Sequence, residues 1–191
     1  MPAIIFSTVK NPELYELINA GGVGVLPTDT VYGLVCSARN PAAAARLYSL
    51  KLRGNKPGTI IAANIDELVS LGLKRRYLKA VEQFWPGAVS VILPAPESLH
   101  YLSQSQPSLA MRVVGDQKIN QLLNKTGPLL TTSANLPGQP PAQIIAEAQK
   151  YFADKIDFYV DGGDLSGRPP STIIKIIDDA IEVVRRGAVK I

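Results

Sequence analysis

One cysteine, Cys36, and one histidine, His100, stand in a chain of 191 residues. A single thiol excludes an internal disulfide framework and a zinc site built of cysteines alone. A single imidazole excludes HExxH zinc chemistry and His-paired metal centres, and any Ser-His-Asp triad has only that residue to draw on. No apolar run reaches about 18 residues, so a membrane-spanning helix is not expected. The stretch from Met1 to Ser7 lacks a basic segment followed by a long apolar one, so no signal peptide is read there and the cytoplasm is the expected compartment. A GxxxxGKS/T phosphate loop is missing. Gly22-Val23-Gly24 continues as Val25-Leu26-Pro27 and fails the dinucleotide fingerprint, and there is no GxSxG elbow. A nucleotide bound by this chain would have its phosphates on side chains of strands and loops.

What is present is a foldable composition. Hydrophobic residues make up 46% and charged residues 19%, which excludes general disorder. The length suits one domain over residues 1–191, able to bury roughly 70% of the surface its unfolded chain exposes. Twenty basic against sixteen acidic residues give a net charge of +4. That balance suits an anionic ligand such as a nucleotide and permits weak RNA contact.

Short apolar runs alternate with helical patterns. Strands are expected at 4–6, 23–26, 59–63, 88–93, 109–114, 129–132 and 158–160, with a closing hairpin of 172–177 and 180–185 turning at Asp178-Asp179. Asn11-Pro12 and Asn40-Pro41 open helices, as a capping side chain followed by proline does. Further helices are expected at 66–71, 75–84, 117–124 and 142–152, and loops at 94–107, 133–140 and 161–170. The fold class is α/β: one domain, a twisted open mixed sheet with helices packed on it.

Six segments carry candidate chemistry. Pro27-Thr28-Asp29-Thr30-Val31-Tyr32-Gly33-Leu34 reads as a short polar loop, either a self-bonded turn or a ligand-binding strand end. Lys51-Leu52-Arg53-Gly54-Asn55-Lys56-Pro57-Gly58 puts three cations on a loop with glycine and proline. They suit phosphate, or else face a helix dipole. Arg112, inside the apolar run 109–114, either faces solvent on an edge strand or has a buried anionic partner. Leu130-Thr131-Thr132-Ser133-Ala134-Asn135 ends a strand in hydroxyls and an amide, where sheets of this class often bind ligands, or forms a Ser/Asn turn. Asp161-Gly162-Gly163-Asp164 with Arg168-Pro169-Pro170-Ser171-Thr172, and Val184-Arg185-Arg186-Gly187, complete the set.

In this order, PTDTVYGL, KLR, SAN, PST and VRRG resemble the YrdC/TsaC family, the threonylcarbamoyl-AMP synthases, over nearly the whole chain. The family's KxR and SxN signature is represented by Lys51, Arg53, Ser133 and Asn135. Where many members have proline after the KxR arginine, this chain has Gly54. The resemblance implies a YrdC-like sheet with a positively charged concave face. It implies ATP, L-threonine and bicarbonate as substrates, pyrophosphate release, and a product used by separate transferase proteins for the t6A modification of tRNA. By position, Arg53, Lys56, Ser108, Thr131, Asn135 and Arg185 would lie along ATP, with Mg²⁺ carried by the nucleotide. Thr30, Arg112, Ser133 and Ser171 would surround threonine. Lys51 and Arg53 would be the catalytic cations, with no protein-held metal.

That reaction needs no protein nucleophile, which suits a chain with one cysteine and one histidine. The protein has to position three ligands and neutralise phosphate charge. Two other classes are open to the residues alone. One is an RNA-binding module of the same fold without catalysis, using the Lys74-Arg75-Arg76 cluster, which otherwise reads as a helix surface. The other is a sugar-phosphate enzyme of related fold, which would want clustered acids that these loops do not supply.

Overall fold

Asparagine and aspartate side chains start four of the helices in the computed structural model, which describes residues 2–52, 56–177 and 180–191. Asn11 accepts from the Glu13 N–H at 2.9 Å ahead of α1 (Pro12–Asn19). Asn40 accepts from Ala43 at 3.0 Å ahead of α2 (Pro41–Lys51), and Asn64 from Glu67 at 3.0 Å ahead of α3 (Ile65–Ser70). Asp116 accepts from Lys118 and Ile119, both at 2.9 Å, ahead of α6 (Gln117–Thr126). Each cap satisfies N–H groups that the first helical turn leaves without partners. The other helices are α4 (Arg75–Lys79), α5 (His100–Ser103) and α7 (Ile145–Phe152).

Among the described residues ten strands form one sheet: β1 (Ile4–Phe6), β2 (Gly24–Pro27), β3 (Tyr32–Ser37), β4 (Thr59–Ala62), β5 (Val89–Pro94), β6 (Ser108–Val113), β7 (Leu129–Ser133), β8 (Phe158–Val160), β9 (Thr172–Ile177) and β10 (Ala180–Arg185). Their order is β1-β8-β2-β3-β7-β4-β6-β5-β9-β10. The sheet is mixed, as expected: β8 pairs in parallel with β1 and β2, β4 with β6, and β5 with β9, while the other neighbours are antiparallel. The closing hairpin is β9–β10; its turn, Asp178-Asp179, lies outside the described residues.

Four segments differ from the sequence expectation. The helix expected over 75–84 is α4, ending at Lys79, followed by a separate 3-10 turn at Glu82–Phe84. The stretch from Pro27 to Leu34 spans the end of β2, a turn at 28–31 and the start of β3, the turn being closed by the Thr28 N–H to the Val31 carbonyl at 3.1 Å. Every residue of β3 is buried, so the strand has no polar alternation to announce it. The expected loop 94–107 contains a 3-10 turn at Glu97–Leu99 and then α5, pinned by the buried Leu99 and Leu102. The helix expected from Ala142 starts at Ile145, because the Ala142 N–H goes to the Ala134 carbonyl at 2.9 Å instead.

The two faces of the sheet bury separate apolar clusters. Leu34, Ile60, Met111 and Leu130 face one cluster with residues of α2, α3, α4, α5 and α7. Val35, Ile61 and Leu129 face the other, with Leu14 and Ile18 of α1 and Leu122 and Leu123 of α6. Strand side chains alternate, so Gly33, Thr59, Thr131 and Ser133 continue this second face beyond the helices. There the face turns from apolar to polar.

Candidate active site

That polar end of the sheet is the floor of a cleft of about 420 Å³. Gly33, Thr59, Thr131, Ser133 and Arg112 lie along it; Thr28, Thr30, Pro141, Gln143, Arg168, Ser171 and Arg185 complete much of its wall. Two glycines are required by close approach. A Cβ on Gly33 would stand 2.6 Å from the Thr131 Oγ1, and one on Gly58 2.6 Å from the Thr131 carbonyl oxygen. The charged groups among the described lining residues are Arg112, Arg168 and Arg185, without a carboxylate. The cavity is therefore built for anions.

Two of these arginines belong to one hydrogen-bonded network. Arg112, only 3% exposed on β6, forms a two-point ion pair with Asp29: its Nε donates to Oδ2 at 3.2 Å and its Nη2 to Oδ1. The Arg112 Nη1 reaches the Ser90 Oγ at 3.5 Å. The Ser90 and Ser171 hydroxyls lie 3.0 Å apart. Arg185 donates from Nη2 to the Ser171 Oγ at 3.0 Å and to the Ser171 carbonyl at 2.8 Å, and from Nε to that carbonyl at 3.1 Å. Three strands and two loops thus hold two guanidinium groups in fixed relation. Arg112 has the buried anionic partner, and its strand lies between β4 and β5 rather than at an edge.

Lys51 serves the same floor from below. It is 2% exposed at the end of α2. Its Nζ donates to the Ser133 carbonyl at 2.8 Å, the Asn135 Oδ1 at 2.7 Å and the Asn135 carbonyl. The Ser133 Oγ donates to the same Asn135 Oδ1 at 2.7 Å. Ion-to-oxygen bonds of this kind offset the cost of burying an ammonium. On the far side, the Tyr32 hydroxyl donates to the Gly163 carbonyl at 2.9 Å and accepts from the Gly162 N–H at 2.8 Å, tying the 161–170 loop to β3. Burial, with the Asp161 and Asp164 carboxylates nearby, raises the Tyr32 pKa despite the Gly162 N–H bond. The phenol is thus a neutral donor near neutral pH.

Of the residues singled out in the sequence, Thr30, Arg112, Thr131, Ser133, Ser171 and Arg185 converge on the cleft. Lys51 and Asn135 hold the Ser133 loop without lining it. Ser108 begins β6, opposite Pro94 of β5, and is not among the lining residues. Lys56 is exposed, next to Pro57 and Gly58, which do line the cleft. Arg53 lies outside the described residues. The sequence reading gave no role to Asp29, Ser90, Gln143 or Arg168. Ser90 had a signal, a lone hydroxyl in the apolar run from Val89 to Leu93; Gln143 had none.

Comparison with known proteins places this cleft in company. Residues 16–187 match the Sua5–YciO–YrdC family, whose description reads telomere recombination. The threonylcarbamoyl-AMP synthase of Pseudomonas aeruginosa PAO1 is 36% identical over 164 residues, covering 84% of this chain and 88% of the relative. That of Idiomarina loihiensis is 32% identical over 169 residues, covering 84% and 90%. Among solved structures, YciO of E. coli superposes with a TM-score of 0.82 at 26% identity, covering 98% of this chain and 97% of the other. The H234A/Y235A variant of P. abyssi Sua5 superposes with a TM-score of 0.85 at 25% identity, covering 97% of this chain; the chain spans 60% of that longer protein.

Proposed function

The chain belongs to the Sua5–YciO–YrdC family, and we propose that it is the threonylcarbamoyl-AMP synthase that its similar relatives are named as. It would join L-threonine, bicarbonate and ATP into threonylcarbamoyl-AMP with release of pyrophosphate. One observation carries this reading: two arginines, on separate strands and joined through Ser90 and Ser171, face one cleft whose described lining residues include no acid. Such a cleft holds a carboxylate and a polyphosphate side by side. Its volume lies within the range of small-molecule sites.

In this assignment Arg112 takes the threonine carboxylate, with Thr30, Ser133 and Ser171 around the amino acid's hydroxyl and amine. Arg185 and Thr131 lie along ATP with Lys56, and the family resemblance adds Arg53 to this set. Lys51 and Asn135 act through Ser133. The threonine amine adds to CO2 and gives up a proton, or condenses with bicarbonate with loss of water, to give a carbamate. A carbamate oxygen then attacks the α-phosphorus, the bond to the β-phosphate oxygen breaks, and pyrophosphate leaves with its electron pair. The protein supplies proximity and positive charge where the leaving group develops negative charge. Mg²⁺ would add Lewis-acid stabilisation to the phosphates. Among the described residues no three carboxylate, imidazole or thiol groups cluster to hold a metal, so the residues present fit an ion carried by the nucleotide. The mixed anhydride product suits a downstream transferase that places the threonylcarbamoyl group on tRNA. We assign the protein to the cytoplasm; no helix among the described residues is long and apolar enough to cross a membrane.

The test is pyrophosphate release by the purified protein with Mg²⁺ and ATP. Release is expected only when threonine and bicarbonate are both present, because neither supplies the carbamate alone. Valine in place of threonine should cut it sharply, since hydroxyl-lined pockets reject isosteres lacking the hydroxyl. Full release from threonine in carbonate-free buffer would overturn the mechanism. No release under any condition would overturn the enzyme reading and favour an RNA-binding role.

A further inference from the structure

Resting on the assignment of threonine to this cleft, we infer that Asp29 is a positioning residue that selects which edge of Arg112 the substrate meets and which anion it accepts. A guanidinium group offers a carboxylate two forked edges, one made by Nε and Nη2 and one made by Nη1 and Nη2. Asp29 occupies the first: Nε donates to Oδ2 at 3.2 Å and Nη2 to Oδ1. The second edge is left for a ligand, with the Ser90 Oγ 3.5 Å from Nη1. Both side chains are nearly buried, 4% exposed for Arg112 and 7% for Asp29, so the guanidinium plane does not swing to offer its other edge.

Asp29 also sets the charge. Paired with it, Arg112 presents donors of fixed direction with little net positive charge, enough for a singly charged carboxylate. The cleft's other two lining arginines, Arg168 and Arg185, add positive charge suited to a polyphosphate. Asp29 therefore lowers the attraction of the Arg112 position for a phosphate while keeping its donors aimed at a carboxylate. Without it, Arg112 becomes a bare buried cation that a phosphate group would seek.

The experiment is steady-state pyrophosphate release by the parent, Asp29→Asn and Asp29→Glu, with added inorganic phosphate as probe and melting temperature as the fold control. For Asp29→Asn, threonine KM is expected to rise at least about tenfold while ATP KM stays within about twofold. Inorganic phosphate, which should not compete with threonine in the parent, becomes competitive with it in the variant. Asp29→Glu keeps the charge and displaces the carboxylate. It should raise threonine KM about threefold or more without gaining the phosphate competition, and it carries the test if the asparagine variant does not fold. A folded Asp29→Asn protein with threonine KM within twofold of the parent and no new competition overturns the inference, as does an equal rise in both KM values with a fall in melting temperature. If Asp29→Asn does not fold, an unchanged threonine KM in Asp29→Glu overturns it. A parent that releases no pyrophosphate overturns the underlying assignment and the inference with it.

Discussion

A buried polar group keeps its charge only where other polar atoms replace the water it gave up, and two residues of this chain show both outcomes. Lys51 is surrounded by oxygens of Ser133 and Asn135 and fastens the loop that carries them. Cys36 lies in β3 among hydrocarbon, and burial pushes its thiol from 9.0 up to about 12. The unfolded chain therefore releases this proton near pH 9, while the folded chain keeps it until about pH 12. The stabilisation is full below pH 9 and is lost through that window, at about 1.4 kcal/mol per unit at most. Urea midpoints between pH 9 and 11 should fall in the parent. Cys36→Ala should start lower, for lost packing, but fall less steeply, by a difference that approaches one proton at about pH 10 and above; parallel slopes would refute the assignment. Tyr159, also raised to about 12, adds its own loss from pH 10 upward in both proteins.

At the scale of elements, the 161–170 loop is fastened at both ends and pinned between them by the Tyr32 phenol and by Gln143. Tyr32 holds Gly162 and Gly163, and the Leu165 N–H donates to the Gln143 carbonyl at 2.9 Å across the cleft rim. Tyr32→Phe removes the first anchor. It should lower stability by about 1 kcal/mol and raise both threonine and ATP KM, with faster proteolysis confined to this loop; unchanged cleavage would show that the remaining contacts suffice. The elements most legible in the sequence were those with a chemical start signal, the Asn-capped helices and the closing hairpin. Those least legible were short or uniformly buried: α5 with four residues, and β3, whose apolar run carries no period. Arg112 illustrates the gap. Its strand pattern identified the residue, but only the strand order, with β6 inside the sheet, decides between solvent and a buried partner.

The whole molecule assembles its cleft from distant parts of the chain: the 28–33 hairpin, 58–59, Arg112, 131–133, Ser171 and Arg185. Each was visible as a polar interruption of an apolar pattern, but spacing alone does not show that they meet. Asp29 and Arg112 are 83 residues apart. The segment after β10 helps hold the last two in place. The Ala188 N–H donates to the Pro170 carbonyl at 2.8 Å, and the Thr172 Oγ1 both donates to the Val189 carbonyl at 2.6 Å and accepts from the Val189 N–H at 3.1 Å. A Cβ on Gly187 would stand 2.2 Å from the Pro170 carbonyl oxygen. Gly187→Ala should therefore push this segment off Ser171 and weaken the Arg185 contacts, costing about 1–3 kcal/mol of stability and raising ATP KM more than threonine KM. A variant with parent stability and parent KM values would show that the segment yields without moving Ser171.

The Arg185 contact with Ser171 has a further consequence in time. A chain emerging from the ribosome can pair β2 with β3 early, and β7 with both β3 and β4 by residue 133. The guanidinium that joins Arg112 through Ser90 and Ser171 does not exist until residue 185 has been made. Up to that point the nascent protein can bury most of its core, yet the paired anion site is absent. Its substrates therefore give no assistance to the early folding of the chain, which has to reach its nearly complete sheet on the strength of its own packing.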